Sequence, residues 1–511
     1  MKNTKKVLAM LLSVLLLIGV FSGCGATAGE KAVEGTAAAA EGTPKAEASA
    51  TATPQQAEAT PEPVTVKWYI RNAEPKNFGQ VMGKINETLK EKQNVTLEMV
   101  CVEPAQWKDK MPLMLSAGEK FDLTWAGSWG GFPFSTAVEK GAYVDITDMV
   151  AENLVESVKI IPQPIWDGIK VKGRLYSMPN YQITYSQEGI MAKKELLDKY
   201  KIDPESLKTL DGLGVALQTI KDGEPDIYPL LNGQVLGLYQ VDGQREKGIY
   251  SFSNSGIEVF LDTHTMKAIP DDFAQQKIAR DFNVKGFFSP DAMTVKDATA
   301  EFKTGKYFCN YTRYKPGASA ELTAANGFDI VAVPITKPIL GNSLATMTAV
   351  SSTSEHPERA LRMWDLFNQD AALYNTLIYG LEGQDYKKTG DNRIELIPDA
   401  YLMPGWMMAN QFNAYLLPGQ PDDVWAETMR MNVEAQLNPL NGFSMDTSMI
   451  KSEVANLMAV MDEFRPIWLT GIMDSGEFAL KYEEKRKQAG YETFVSELEK
   501  QLAAWATAEG K

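Results

Sequence analysis

Polar and apolar residues alternate with period two through Val64-Thr65-Val66-Lys67-Trp68-Tyr69-Ile70, which predicts a strand. The period then lengthens. Between Phe78 and Lys92 the apolar residues Val81, Ile85 and Leu89 recur at four-residue steps, which predicts a helix with one apolar face. Val95 to Val102 again reads as a strand, and Met111, Leu113, Met114 and Leu115 predict a second helix that ends near Gly118. Phe121-Asp122-Leu123-Thr124-Trp125 has the short apolar form of a buried strand. A β-α-β-α-β order at this spacing implies a parallel sheet covered by helices. Ligands of such sheets sit beyond the carboxyl ends of the strands, so the segments to watch are Arg71 to Asn77 and Ala126 to Phe134.

Further along, Asp203-Pro204-Glu205 supplies an N-cap and a first-turn proline before Leu207, Leu210, Leu213, Leu217 and Ile220, predicting one amphipathic helix. Ser354-Glu355-His356-Pro357-Glu358 starts another, with Ala360, Met363, Trp364 and Phe367 on its apolar face. Phe328 to Pro334 reads as a strand between them. From about residue 400 the chain is helical and aromatic, with a charged amphipathic last helix expected from Glu477 to Trp505. No fixed-period repeat points to a solenoid.

The N-terminus carries an export pattern. Lys2, Lys5 and Lys6 precede an apolar run from Val7 to Val20, too short for an ordinary membrane span and suited to a signal peptide. Phe21-Ser22-Gly23-Cys24 follows and resembles the bacterial lipobox, which implies cleavage before Cys24 and a diacylglyceryl group on its sulfur; the competing reading is an uncleaved anchor with an incidental cysteine. Gly25 to Pro63 contains no aromatic residue and no Leu, Ile, Met or Cys. Such a segment cannot bury enough apolar surface to offset its ordering entropy, so residues 24–63 are expected to be a lipidated, disordered tether reaching about 35 Å r.m.s.. The folded body is then 64–511.

Charge and composition narrow the function. Against 66 acidic residues stand 51 basic ones, and loss of residues 1–23 removes three lysines, leaving 48 − 66 = −18. That balance opposes binding to nucleic acid. Two histidines and three cysteines make a His- or Cys-built metal centre hard to assemble, so no metal and no cofactor is expected. Neither G-x-x-x-x-G-K-[ST] nor a G-x-G-x-x-G after the first strand occurs. His264 and His356 lack the context of a nucleophilic triad, His356 lying at a helix start. Cys101 in a strand and Cys309 in an apolar run read as two small hydrophobes, with a single disulfide as the alternative. A carboxylate pair for glycoside hydrolysis is open among so many acids, but no pair stands out.

Four segments combine aromatic and polar residues in expected loops: Trp125-Ala126-Gly127-Ser128-Trp129-Gly130-Gly131-Phe132, Asn180 to Tyr185, Asn310-Tyr311-Thr312-Arg313-Tyr314, and Trp406-Met407-Met408-Ala409-Asn410. Sugars suit this chemistry, because their C–H faces stack on rings while their hydroxyls hydrogen-bond to Asn, Arg and carboxylates. A single tryptophan is more often core than platform; four such loops together favour a binding site.

The order of segments over about 64–370 resembles the extracellular solute-binding proteins of the carbohydrate-associated class that serve ABC importers. Phe121-Asp122-Leu123-Thr124-Trp125 followed by Ala137 to Thr147 is similar to that family's strand, loop and G-x-[LV]-x-[DP]-[IL]-[ST] run, with Phe121 in place of the usual proline. Gly173-Arg174-Leu175-Tyr176-Ser177-Met178-Pro179 resembles its G-K-x-Y-x-[IVL]-P segment, and Phe302-Lys303-Thr304-Gly305-Lys306-Tyr307 its F-x-x-G-K-x-A-M run. Val331-Ala332-Val333-Pro334 is similar to the next strand, and Ser354 to Phe367 to the helix after it. Beyond about 370 the chain resembles larger lipoproteins with an extended C-terminal part.

The resemblance implies an α/β, two-lobe periplasmic-binding-protein-like (type II) fold with crossing hinge segments and a helical C-terminal extension. Lobe 1 would be 64–182 plus 312–368, and lobe 2 would be 183–311 plus 369–511. Mapped by position, Glu74, Trp125, Ser128 and Trp129 would form the first-lobe wall. Tyr181, Tyr228, Asn310, Tyr311 and Arg313 would form the hinge and second-lobe wall, with Trp406 and Asn410 from the C-terminal part. The implied protein is a monomeric receptor for an oligosaccharide or related polyol. It would be anchored through Cys24 to the outer face of the bacterial cytoplasmic membrane and would deliver its ligand to ABC permease subunits without covalent chemistry. The rival classes are a cell-surface glycoside hydrolase and a non-catalytic adhesin or sensor lipoprotein.

Overall fold

The computed structural model describes residues 62–129, 134–341 and 343–510. The expected signal peptide, Cys24 and nearly all of the expected tether lie outside the described residues. Among the described residues no helix is long and apolar enough to cross a membrane.

The alternation at Val64 builds an inner strand of a five-stranded sheet whose order is Val95–Val102, Val64–Arg71, Leu123–Ala126, Met347–Val350, Ser177–Pro179. The first three strands are parallel, as the β-α-β-α-β pattern requires, and Met347–Val350 runs against both its neighbours. Val81, Ile85 and Leu89 of helix Phe78–Gln93 are buried, which is the four-residue stripe of the sequence. Helix Pro104–Ala117 ends at Gly118, whose φ of 66° suits a residue without Cβ. Trp68, Trp364, Phe367, Tyr374, Met407 and Met408 share this core, so the chain returns to it long after residue 126.

A second sheet has the order Ile330–Pro334, Glu188–Lys193, Tyr307–Arg313, Tyr228–Leu230. Leu213, Leu217 and Ile220 of helix Leu210–Gly223 pack on it, with Ala279 and Phe282 of Ala274–Val284. A third core joins the antiparallel strands Ile249–Asn254, Ile257–Asp262 and Lys267–Ile269 to helices Lys451–Thr470, Ser475–Gln488 and Tyr491–Glu509.

Three short strands, Tyr185–Ser186, Ile339–Leu340 and Gln436–Leu437, pair side by side. Each joins a segment of the first core to a segment of the second or third, so the lobes are linked by three crossings and the two-lobe α/β architecture is present. The first crossing, Tyr185–Ser186, runs between Ser177–Pro179 of the first sheet and Glu188–Lys193 of the second. The other two differ from the expected boundaries. Ile330–Pro334 hydrogen-bonds along Glu188–Lys193, which keeps it in the second lobe and moves that crossing from 311 to 339. Leu373, Tyr374, Leu377 and Tyr401 bury their side chains in the first core, which keeps 369–434 with lobe 1 and moves the last crossing to 436.

Two helices also differ from their expectation. Pro204–Lys208 is a separate 3₁₀ turn, because the Thr209 hydroxyl caps the Gly212 N–H and starts Leu210–Gly223 anew. The expected Glu477–Trp505 helix breaks at Gly490, whose φ of 97° no helix accommodates.

Candidate ligand-binding site

Topology selects one edge of each sheet. In the first, Arg71 and Ala126 end parallel strands, and Met347 pairs with both Ala126 and Pro179. Two crossings therefore leave from the edge that carries the carboxyl ends. In the second sheet Glu188 pairs with Arg313 and Gly189 with Pro334, so the end of Tyr307–Arg313 also faces the crossings.

On the first edge the structure gathers an aromatic platform. Trp125 and Trp129 meet edge to face at 5.0 Å, and Trp129 stacks on Trp406 at 5.9 Å and 26°. The Arg71 guanidinium lies 5.0 Å from the Trp129 ring and 5.8 Å from Trp125, within cation–π range. Trp107 closes the back, edge to face on Trp125 at 5.7 Å. Trp125 is buried and its indole N–H donates to Thr346 Oγ1 at 3.0 Å, whereas Trp129 is 41% exposed and donates to the Ala345 carbonyl at 2.6 Å. Asn180 holds both halves together: its amide nitrogen donates to Thr346 Oγ1 and to the Met407 carbonyl, and its oxygen accepts from Thr348. Gly127 permits the turn between the tryptophans, since a Cβ there would lie 2.9 Å from the Ala345 carbonyl oxygen. Among the described residues Arg71 forms no ion pair, and its buried Nε has no hydrogen-bond partner.

The other sequence-derived residues divide. Trp125, Ser128, Trp129 and Trp406 meet at the platform, but Trp406 belongs to the first lobe, so the tryptophans share one wall instead of facing one another. The Ser128 N–H donates to the Leu344 carbonyl. Glu74 is exposed on the segment beyond the first strand. Tyr181 and Asn410 are buried and bridge to each other: the Tyr181 N–H donates to the Ala409 carbonyl and its ring abuts Phe412 at 4.6 Å, while Asn410 bonds the Asn368 carbonyl and the Phe412 N–H. They brace the Trp406 segment in place of lining a wall. Tyr228 pairs with Tyr307, at the end of the second sheet away from the crossings. Asn310 is buried in mid-strand.

Tyr311 and exposed Arg313 do reach the crossing side, where the Tyr311 hydroxyl donates to Glu188. Glu188 and Tyr311 line a cavity of about 430 Å³ that adjoins the crossings at Ile339 and Asn438. The sequence patterns did not single out Glu188 or Trp107 for the site, and Arg71 was reached only as the end of a watched segment. Cys101 and Cys309 are free thiols. Burial pushes Cys101 up to about 12, helped by the negative charges of Glu74 and Glu103.

Asp271 lies in the cavity wall, and burial pushes its carboxyl up to about 6. The Phe273 N–H and Arg486 oppose that rise, while Glu258 and Asp272 add to it. The folded state thus holds a proton on Asp271 more tightly than the unfolded chain does. Its stabilisation is complete below the ordinary value of 3.8 and is lost as pH rises through about 6. Asp271→Asn should therefore raise stability at pH 7.5 by on the order of 1–2 kcal/mol and change little at pH 4, read from denaturant melts at both pH values. Equal shifts at the two pH values would refute this.

A family profile for bacterial extracellular solute-binding proteins matches residues 72–372, more than half of the chain. The chain belongs to this family. In this solute-binding protein residues 439–507 additionally match a domain of unknown function (DUF3502). A carbohydrate ABC transporter substrate-binding protein of Streptococcus pneumoniae serotype 4 is 25% identical over 454 residues, 85% of this chain and 90% of the relative. Among solved structures, the N-glycan transport solute binding protein NgtS of Streptococcus pneumoniae superposes with a TM-score of 0.71 at 24% identity, over 87% of this chain and 99% of that one. Its complexes with Man1GlcNAc and Man5GlcNAc give 0.60 and 0.55, each at 23% identity, over 87% and 86% of this chain and 100% and 98% of theirs.

Proposed function

We propose that this solute-binding protein captures an oligosaccharide or related polyol outside the membrane and hands it to an ABC permease. The observation that carries the reading is the platform of Trp125, Trp129 and Trp406 with Arg71 at the crossing-side edge of the first sheet. Sugar C–H faces stack on the exposed indole surface, and a guanidinium that forms no ion pair among the described residues donates to ring hydroxyls. The relative named for carbohydrate transport and the fold shared with an N-glycan binder support the same class of ligand.

Capture works by closure. A ligand that touches both lobes binds the closed arrangement better and shifts the equilibrium toward it by that differential affinity, and the permease reads the closed form. The three crossing strands are the natural pivot. No covalent chemistry is required of the receptor. Its export and its anchoring by a lipid on Cys24 follow from the lipobox-like Phe21-Ser22-Gly23-Cys24, with the membrane's outer face as its location. It acts as a monomer, one cleft per chain.

The deciding experiment is calorimetric titration of the soluble chain with a panel of mono- and oligosaccharides, followed by mass analysis of the recovered sugar. Saturable binding of at least one glycan, recovered intact, is the expected result. A cleaved glycan would make the protein a hydrolase, and silence across the panel would remove sugars as its ligands.

A further inference from the structure

The C-terminal helices match a domain of unknown function and share a core with the strands Ile249–Asn254 and Ile257–Asp262. Helix Lys451–Thr470 buries Leu457, Val460 and Phe464 in the core it shares with the strand Ile257–Asp262 and the helix Ser475–Gln488, Phe464 meeting the rings of Phe478 and Tyr482. Residues at the rim of that contact, Met461, Arg465, Trp468 and Leu469, form one wall of the 430 Å³ cavity. The second sheet supplies Glu188 and Tyr311 to the same cavity, the first strand of the hairpin supplies Tyr250, and the turn before Ala274–Val284 supplies Asp271. The cavity is therefore built jointly by the solute-binding fold and the extra helices.

Its chemistry is that of a sugar site. Carboxylates accept from hydroxyls, Gln234 and Gln275 do both, and tyrosine and tryptophan rings offer faces for stacking. Its volume falls in the range of about 300–1,000 Å³ typical of small-molecule sites. Trp468 is held rigid by Phe273, Phe478 and Tyr482, with ring centroids 5.9, 5.7 and 5.7 Å away. Arg465 is exposed and forms no ion pair among the described residues, so its guanidinium is available at the rim.

We propose that the C-terminal module is part of the ligand site: its helix Lys451–Thr470 supplies Arg465 and Trp468 to a second-lobe subsite that takes sugar units beyond those resting on the tryptophan platform. This rests on the reading of the protein as a glycan receptor and deepens it, because it assigns a chain of several sugars as the preferred ligand. A long glycan engages both lobes, whereas a short one engages the platform alone.

The test titrates Man1GlcNAc and Man5GlcNAc into the whole soluble chain and into Arg465→Ala, with hydrogen exchange followed over residues 451–470. Arg465 is exposed, so the variant folds with an unchanged melting temperature. The expected result is a loss of at least fivefold in affinity for Man5GlcNAc, a change within twofold for Man1GlcNAc, and exchange protection of the helix by Man5GlcNAc in the parent. An Arg465→Ala protein that keeps full affinity for Man5GlcNAc overturns the proposal, whatever the exchange shows. A parent that binds neither probe nor any glycan of the panel sinks the receptor reading itself, which is a different outcome.

Discussion

Trp129→Ala loses roughly thirtyfold or more in glycan affinity while its melting temperature stays close to that of the parent. The expectation follows from the different burial of the two platform indoles. Trp129 is 41% exposed, stacked on Trp406 on one side and capped by Arg71, so its outer surface is what a sugar meets. Truncating a central aromatic contact costs about 2 kcal/mol or more of binding, which is about thirtyfold. Little core is lost with it, because the ring stands partly in solvent and its indole N–H is held by a bond to the Ala345 carbonyl. Trp125→Ala serves as the contrast. That ring is 2% exposed, wedged between Trp107 and Trp129 and bonded to Thr346, so its removal costs about 3–5 kcal/mol of folding and lowers the melting temperature. Trp129→Phe keeps a stacking face and should retain most of the affinity. A Trp129→Ala protein that binds every glycan of the panel as tightly as the parent would detach the platform from the site.

The period-two run at Val64 and the four-residue stripe of Val81, Ile85 and Leu89 were legible because each element buries one face against a single sheet. The Trp125-to-Trp129 loop was legible for a related reason: a strand end in a parallel sheet is a place where ligands sit, and tryptophan there is costly to expose without use. What the sequence pattern could not show is which chain segments share a core. Ile330–Pro334 reads the same whether it pairs with Glu188–Lys193 or with the first sheet, and only the ladder of hydrogen bonds decides. Tyr181 and Asn410 carry the same residue types as a sugar site, yet the Asn410 amide is consumed by the Asn368 carbonyl and the Phe412 N–H, and Tyr181 is buried with its backbone N–H on the Ala409 carbonyl and its ring against Phe412. Composition distinguishes a bracing asparagine from a ligand-facing one no better than it distinguishes a buried indole from an exposed one. Arg71 was obscured for the opposite reason. It closes an ordinary strand pattern, and its importance comes from two tryptophans more than fifty residues away.

Gly471→Ala should be the most destabilising single substitution at the seam between the C-terminal module and the second lobe, at a cost on the order of 4 kcal/mol. Helix Lys451–Thr470 ends on Gly471 in the left-handed region at φ 59°, with its N–H bonded to the Ile467 carbonyl. The helix end is pressed against Ala274–Val284: Asn283 donates to the Thr470 carbonyl and Arg280 to the carbonyls of Gly471 and Ile472. A Cβ on Gly471 would overlap the backbone of Ala279 and Arg280, which no rotamer change can relieve. Two costs are thus superposed, about 1 kcal/mol for a left-handed alanine and a larger one for collision of two backbones. Asparagine separates them, because it tolerates the left-handed region but carries the same Cβ. If collision dominates, Gly471→Asn is nearly as unstable as Gly471→Ala in denaturant melts; if asparagine restores most of the stability, backbone strain outweighs collision and the close approach is softer than the geometry implies. Because Trp468 and Arg465 lie within two turns of this seam, both variants that fold should also weaken binding of Man5GlcNAc more than of Man1GlcNAc. That coupling ties the stability of the module's docking to the length of the glycan the receptor retains.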